Sequence, residues 1–484
     1  MLFNSLDFAI FLPAVFILYW FIFNKNLKAQ NLLVLVASYV FYGWWDWRFL
    51  GLIAFSTAID FLVGIQLDKS EKPGNRKILL GISLLVNIGL LGFFKYYNFF
   101  LDNFISAFTI LGMPIKANSL HLILPVGISF YTFQTMSYSI DIYRKKLKAT
   151  KDWVAFSAFV SFFPQLVAGP IERASNLLPQ FFKRRKFNYS LAKDGLRQIL
   201  WGLFKKIVIA DNCAEFANTI FSNSENYQGS ILFLGAVFFA FQIYGDFSGY
   251  SDIAIGTSRL FGFGLMKNFA FPYFSRDIAE FWRRWHISLS TWFRDYVYIP
   301  LGGSQCSKSR QIRNVLVIFL LSGFWHGANW TFIVWGALNA LYFIPLLLRD
   351  KNRRNLETVA SQKSLPSFRE FIAMAGTFLL ILFSWIFFRA ENMGHAIQYL
   401  TNLFTPQLFA VPDFSGFPGM GTLLVLLFVF ILVEWKGRFG DYGISQIQFH
   451  PNKIYRWSMY LLIIFIIDIF GNTNEQIEFI YFQF

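Results

Sequence analysis

Two of the chain's five histidines lie in sequence contexts that could support chemistry. His326 is the single readily titratable side chain in residues 314–348, a run that contains no Asp, Glu, Lys or Arg. An ionisable group inside a membrane segment is costly, so it is a functional candidate by default, although a hydrogen-bonded structural histidine is the alternative. The run is too long for one crossing. We therefore predict a bend near "HGAN" (326–329) that turns His326 toward an internal cavity.

The second candidate, His286, belongs to the unusual block "FSRDIAEFWRRWHISLSTWFRDYVYIPLGG" (274–303). This block is too charged to span a bilayer, and its mixture of Trp and Arg is typical of the boundary between lipid and water. An exposed interfacial histidine is the simpler interpretation of His286. If it meets His326 in one cavity, the pair could accept and donate protons near neutral pH.

The composition places these residues in a polytopic membrane protein. The chain has 484 residues, of which 55% are hydrophobic and 15% charged, whereas soluble domains are about 25% charged. Its formal charge of +15 is concentrated in short clusters beyond apolar runs, such as "KRRK" (183–186). That arrangement is typical of cytoplasmic loops facing anionic lipid, and no nucleic-acid-binding motif accompanies it.

With about 20 apolar residues per crossing, the pattern predicts an all-α protein. Predicted helices lie near 5–23, 31–43, 49–67, 78–100, 122–143, 153–168, 191–212, 230–247, 251–266, 312–325, 329–348, 371–388, 421–435 and 454–470. Prolines and glycines between 160 and 190 predict a broken or re-entrant segment, which at membrane depth must be buried or line a cavity. We interpret residues 1–484 as one integral-membrane domain, with interfacial segments near 160–190 and 274–303 and an aromatic tail at 476–484.

Several other chemistries lack support. Cys213 and Cys306 are far apart, without a C-x-x-C or His/Cys cluster, so no disulfide framework or metal site is expected. The chain has no G-x-S-x-G, G-x-x-x-x-G-K-[ST] or H-E-x-x-H motif. Asp246 and Asp252 in "YGDFSGYSDIAIG" (244–256) could bind a proton or cation, or pair with an Arg between helices.

Four blocks in order resemble the membrane-bound O-acyltransferase (MBOAT) superfamily, in particular its bacterial branch of alginate O-acetyltransferase membrane subunits. They are "FFPQLVAGPIER" (162–173), "YGDFSGYSDIAIG" (244–256), "EFWRRWHISLSTWFRDYVYIPLGG" (280–303) and "SGFWHGANWTF" (322–332). The resemblance implies a ring of about 11–13 tilted transmembrane and re-entrant helices around a central tunnel. It also implies that His326 is the catalytic histidine and His286 its polar partner.

The same resemblance implies the substrates. Acetyl-CoA would enter from the cytoplasm, with Arg283, Arg284 and Arg294 as candidate partners of its phosphates, whereas Lys308 and Arg310 are interpreted as solvated. His326 would act as general base, and Asn329, Trp325 or backbone N–H groups near Gly327 would stabilise the oxyanion. The acetyl group would pass from the bacterial inner membrane to a periplasmic transferase that modifies an exported polysaccharide, with Tyr481 as a possible acyl relay.

Two alternatives remain open from the sequence. One retains the fold but transfers D-alanine from a carrier protein to teichoic acids. The other is a proton-coupled transporter that uses Asp246, Asp252 and His326, although the chain shows no internal repeat of the kind common in transporters. Flux in liposomes without acetyl-CoA would distinguish the transporter from either enzyme.

Overall fold

The computed structural model describes residues 1–113, 115, 117–120, 122–167, 169–227, 229–471 and 479–480. Within these ranges the regular structure is entirely helical, as the sequence predicts. The α-helices are α1 (Leu6–Ile17), α2 (Leu27–Asp46), α3 (Leu50–Lys69), α4 (Pro73–Leu91), α5 (Tyr97–Ile110), α6 (Ile128–Tyr143), α7 (Trp153–Val160), α8 (Phe163–Leu166), α9 (Ala174–Leu177), α10 (Tyr189–Leu203), α11 (Asp211–Ser222), α12 (Ser230–Leu260), α13 (Ile278–Arg284), α14 (Ile287–Phe293), α15 (Lys308–His326), α16 (Trp330–Leu348), α17 (Phe368–Arg389), α18 (Met393–Leu403), α19 (Met420–Gly437) and α20 (Lys453–Phe470).

Six helical stretches among the described residues are long and apolar enough to cross a membrane. They are Leu27–Lys69, Pro73–Ile110, Ser230–Leu260, Trp330–Leu348, Phe368–Arg389 and Met420–Gly437. The first two each contain two α-helices in succession. The chain is therefore a multi-pass, all-α membrane protein, while the predicted ring and tunnel stay predictions.

Three of the differences between the observed helices and the sequence-based prediction concern whole helices. The break expected between the spans 230–247 and 251–266 is wrong, since α12 is continuous over 31 residues, and the second span ends at Leu260 instead of residue 266. The short amphipathic helix α18 was not predicted. The predicted span 153–168 is instead two short helices, α7 and α8, and Pro164 lies in the first turn of α8.

Ion pairs explain why α12 continues through its polar middle. Lys205 Nζ lies 2.6 Å from Asp252 Oδ2, and Lys206 Nζ lies 2.9 Å from Asp246 Oδ1. Both lysine side chains are buried, so each carboxylate is neutralised without a break in the helix. The interpretation that these carboxylates pair with a cation is confirmed, although the cations are lysines and not arginine.

By internal packing the chain divides into two compact units. Unit 1 consists of Met1–Gly195 and Ala254–Met266, and unit 2 of Leu196–Ile253 and Lys267–Phe484. In unit 1, buried polar residues connect helices, since Asp60 on α3 accepts hydrogen bonds from Ser83 at 2.5 Å and Ser139 at 3.0 Å. Polar side chains of this kind join helices within a bilayer. Both candidate histidines belong to unit 2.

Candidate active site

His326 is the last residue of α15, at a sharp turn into α16. The side chain of Asn329 caps α16 by accepting a hydrogen bond from the backbone N–H of Thr331 at 3.1 Å. The Asn329 amide also donates to the carbonyl oxygen of Glu391 at 2.7 Å. The bend predicted near "HGAN" is therefore confirmed, and Asn329 stabilises it.

Glycines allow the two arms of this turn to pack closely. A Cβ at Gly323 would lie 2.2 Å from the carbonyl oxygen of Phe332, and one at Gly336 would lie 2.3 Å from that of Phe319. A Cβ at Gly327 would lie 2.1 Å from a ring atom of Phe332. Since real Cβ atoms do not approach so closely, these positions require glycine. The close packing of α15 and α16 thus fixes the position of His326.

Aromatic side chains surround the His326 ring. Its centroid lies 4.8 Å from that of Trp325, 5.1 Å from Trp335 and 5.1 Å from Phe388. His326 is 5% exposed. The rings exclude bulk water from this histidine, and electrostatic interactions are stronger in such an environment.

His286 lies between α13 and α14 in a left-handed backbone conformation, with φ 44° and ψ 54°. Non-glycine residues in this region are strained and occur often at functional sites. Asn268 holds the residue in place, because its Oδ1 lies 3.1 Å from His286 Nδ1 and its carbonyl oxygen accepts the N–H of Ile287 at 2.9 Å. The orientation of the Asn268 amide follows from the backbone N–H of Ser288, which can only donate and lies 3.4 Å from Asn268 Oδ1. Asn268 Nδ2 then donates to Ser251 Oγ at 3.0 Å.

This geometry determines the tautomer of His286. Because Asn268 Oδ1 is an acceptor, His286 Nδ1 carries the proton and Nε2 carries the lone pair. Burial lowers the pKa of His286 to about 3, so the ring is neutral at physiological pH. Nε2 is buried and has no hydrogen-bond partner among the described residues. His286 can therefore accept a hydrogen bond from a bound molecule, whereas its lowered pKa disfavours the uptake of a full proton.

Both histidines line one cavity of about 760 Å³, a volume within the range of small-molecule and cofactor sites. Trp325 also contacts both rings, at 6.0 Å from His286 and 4.8 Å from His326. Apolar side chains form much of the cavity wall: Val315, Ile318, Phe319, Phe343 and Leu347. The convergence of the two histidines, which the sequence could not establish, is a feature of the fold.

Cationic side chains line the same cavity: Arg283, Arg294, Lys308 and Arg353. Arg283 is oriented by two backbone carbonyl oxygens, those of Asn352 and Asn355, each at 2.8 Å. Asp350 is the one carboxylate among the described residues that line the cavity. The cavity therefore carries a net positive charge as well as two histidines and an apolar wall.

Comparison with known proteins identifies the family of the chain. Residues 145–389 match the model of the MBOAT, membrane-bound O-acyltransferase family. The chain belongs to this family. It is 41% identical over 400 residues to "Probable alginate O-acetylase AlgI" of Azotobacter vinelandii, a match that covers 82% of this chain and 76% of the relative.

Two further relatives of this O-acyltransferase carry other names. "Peptidoglycan O-acetyltransferase" of Helicobacter pylori is 35% identical over 423 residues, covering 81% of this chain and 77% of the relative. "Teichoic acid D-alanyltransferase" of Streptococcus thermophilus is 29% identical over 284 residues, covering 54% of this chain and 68% of the relative. Both histidines and all four cavity cations lie inside the matched family region.

The remaining predicted site residues of the O-acyltransferase are placed differently. Arg284 is outside the set that lines the cavity and pairs with Glu280 at 2.9 Å. Arg294 reaches the cavity but also pairs with Asp295 at 2.8 Å. Asn329 is held by its two hydrogen bonds at the turn, and its oxyanion role stays a prediction. Tyr481 lies outside the described residues.

Sequence reasoning missed three residues that the structure places at the site. Arg353 lines the cavity from the basic loop that follows α16, and the positive charge of that loop was the one sequence feature that could have identified it. Trp282 lines the cavity, and its buried indole Nε1 has no acceptor among the described residues. Asn268 is 18 positions from His286 in sequence, and no local pattern connects the two.

The tail immediately before Tyr481 is held inside unit 2. The backbone N–H of Ile480 donates to Asp246 Oδ2 at 2.6 Å, and both Phe479 and Ile480 are buried. The Phe479 ring packs 4.5 Å from Tyr250 and 5.9 Å from Phe247. Phe247 in turn lies 4.6 Å from the His286 ring. Packed aromatic side chains thus connect the tail to the candidate active site.

Proposed function

We propose that this O-acyltransferase moves an acetyl group from cytoplasmic acetyl-CoA, across the bacterial inner membrane, toward an exported or cell-wall polysaccharide. The observation that carries the proposal is that His286 and His326 share a cavity with four cationic side chains. The names of the relatives that match over about four-fifths of this chain support acetyl as the group transferred.

The cavity has the chemical features that an acyl-CoA requires. Its cations outnumber its one carboxylate, which favours the binding of phosphate groups. Its apolar wall suits the less polar arm that connects those phosphates to the thioester. Arg283 and Arg353 are the cations we assign to phosphate binding, because Lys308 and Arg294 each have an acidic partner.

The reaction follows from the two histidines. His326 takes the proton of an acceptor hydroxyl as its oxygen attacks the thioester carbonyl carbon. The carbon–sulfur bond then breaks, and the CoA sulfur leaves with that proton. A positioned base of this kind contributes about 10²–10⁴ in rate. His286 Nε2 accepts a hydrogen bond from the acceptor or the thiol, and Trp282 Nε1 joins Trp325 and Asn329 as a candidate oxyanion donor.

A relay through the tail is part of the proposal. Tyr481 directly follows Ile480, whose backbone is held by Asp246. We assign its hydroxyl as the first acyl acceptor, from which a periplasmic transferase takes the acetyl group to the glycan. The relay is a separate step. If Tyr481 does not carry the acetyl group, the proposed chemistry at His326 still stands.

The D-alanyl alternative has weaker support. Its named relative is less similar and matches 54% of this chain, compared with 82% for the alginate relative. The transporter alternative requires titratable Asp246 and Asp252, and both carboxylates are engaged by buried lysines. Acetyl transfer is therefore the function we propose.

The test uses purified full-length protein and acetyl-CoA labelled in the acetyl group. We expect free CoA release and labelled protein in the wild type, and loss of both in His326→Ala. In Tyr481→Phe the protein label should be lost and CoA release with it, because the first acceptor hydroxyl is gone. His450→Ala, which alters an exposed histidine, is the matched control. Transfer from a D-alanyl carrier protein without any use of acetyl-CoA would overturn the donor assignment.

A further inference from the structure

Unit 1 contains a second strongly cationic feature, far from the candidate active site in sequence. Two cavities of about 580 Å³ each share Arg184, Arg185 and Lys186 in their walls. Lys25 also lines one of them, and Lys183 the other. None of the described residues that line either cavity is Asp or Glu. We call this feature the basic groove.

Arg185 is the fixed centre of the basic groove. It is 6% exposed, and its guanidinium lies over the rings of Tyr19 at 5.5 Å and Phe263 at 4.7 Å. Its Nη2 donates to Asn31 Oδ1 at 2.6 Å. Its Nε and Nη1 are buried and make no hydrogen bond of normal geometry among the described residues, although the Tyr19 hydroxyl interacts with the guanidinium. Leaving charged donors unsatisfied is costly, so an anionic ligand is the natural partner.

The surroundings of the groove indicate a lipid and not a soluble anion. Phe16, Trp20 and Phe21 at the end of the first apolar helical segment line one of the two cavities. Phe21 is 74% exposed, and Phe187, whose ring centroid lies 5.5 Å from that of Trp20, is 49% exposed. Leu6, Ile10 and Ile17 on the same segment are also exposed, a pattern that suits hydrocarbon.

The groove also lies where headgroups are expected. The basic loop after α1 and the cluster 183–186 follow apolar segments, as cytoplasmic loops do under the positive-inside rule. The cytoplasmic leaflet carries anionic lipids that attract such clusters. We propose that the basic groove binds the phosphate headgroup of an anionic phospholipid in that leaflet, with Arg185 at its centre and the lipid chains along Phe21 and Phe187.

The proposal can be tested by native mass spectrometry of the full-length protein in detergent with phosphatidylglycerol or zwitterionic phosphatidylcholine. The informative variant is Arg184→Gln/Lys186→Gln, because both side chains are exposed and the fold should tolerate their loss. Each cation near an anionic surface contributes about fivefold in affinity. We therefore expect this double variant to bind phosphatidylglycerol about 25-fold more weakly.

The matched control is Lys146→Gln/Lys148→Gln, which removes two exposed cations from another basic loop of unit 1, outside both cavities. We expect it to retain wild-type binding. Arg185→Gln should abolish the preference for phosphatidylglycerol, with thermal unfolding measured in parallel because this residue is buried. Equal loss in the control, or no preference over phosphatidylcholine, would overturn the proposal. Displacement of the lipid by millimolar inorganic phosphate or CoA would overturn the assignment to lipid.

Discussion

Asn268 Oδ1 lies 3.1 Å from His286 Nδ1, and this hydrogen bond sets the protonation state of the histidine. It places the lone pair on Nε2 of a residue that lines the cavity shared with His326. Asn268 is therefore a positioning residue, and its effect on the reaction should be exerted through His286.

Replacement of Asn268 tests that role. We expect Asn268→Ala to lower kcat about 10- to 100-fold, because loss of a group that orients a reactive histidine has effects of this order. Asn268→Asp keeps the acceptor but adds a negative charge, which should raise the pKa of His286 and move the acid limb of the pH–rate profile upward. Unchanged pH profiles in an active Asn268→Asp variant would contradict the assignment.

Acid sensitivity of the fold follows from the burial of His286. Its pKa is lowered to about 3 in the native state, whereas an unfolded histidine titrates near 6.5. Between these values the unfolded state binds the extra proton, so stability is complete above pH 6.5 and falls as the pH is lowered toward 3. The largest slope from this residue is about 1.4 kcal/mol per pH unit. Melting temperatures from pH 7.5 to 4.5 should fall less steeply in His286→Gln, and parallel curves would refute this prediction.

The close packing at the turn predicts a size limit at Gly327. A Cβ there would meet the Phe332 ring at 2.1 Å, so Gly327→Ala must shift the turn that holds His326. Overpacking of this kind costs about 1–3 kcal/mol. We expect a lower melting temperature and at least tenfold lower activity. Gly376→Ala on α17 is the control, since nothing lies within 4 Å of its Cβ position; an equal loss in this control would show that the effect is not local.

The cations of the cavity should act on donor binding. Arg353→Gln removes a cavity cation that sequence reasoning missed, and Arg283→Gln removes one that it predicted. A charge-assisted hydrogen bond contributes about 1.5–3 kcal/mol, so we expect KM for acetyl-CoA to rise roughly tenfold or more with a smaller change in kcat. Arg310→Gln, at an exposed residue outside the cavity, should leave KM unchanged. An unchanged KM for acetyl-CoA in Arg353→Gln and Arg283→Gln would contradict the assignment of these residues to phosphate binding.

The features that sequence predicted well depend on local signals. The helical class follows from long apolar runs, and the turn at His326 follows from the glycine and asparagine of "HGAN". The division of α12 was mispredicted because its aspartates and glycines resemble a break. The aspartates are stabilised within the helix by ion pairs with Lys205 and Lys206, which lie about 40 positions away in the sequence. Asn268 and Arg353 were missed for the same reason, because tertiary packing alone brings them to the site.

The most direct test of the central claim is a single-turnover measurement of CoA release from acetyl-CoA by wild type, His326→Ala and His450→Ala. The account predicts a fall of about 10²–10⁴ in the rate for His326→Ala alone, with a melting temperature and elution profile close to those of the wild type. A folded, monodisperse His326→Ala protein that releases CoA at the wild-type rate would contradict the account.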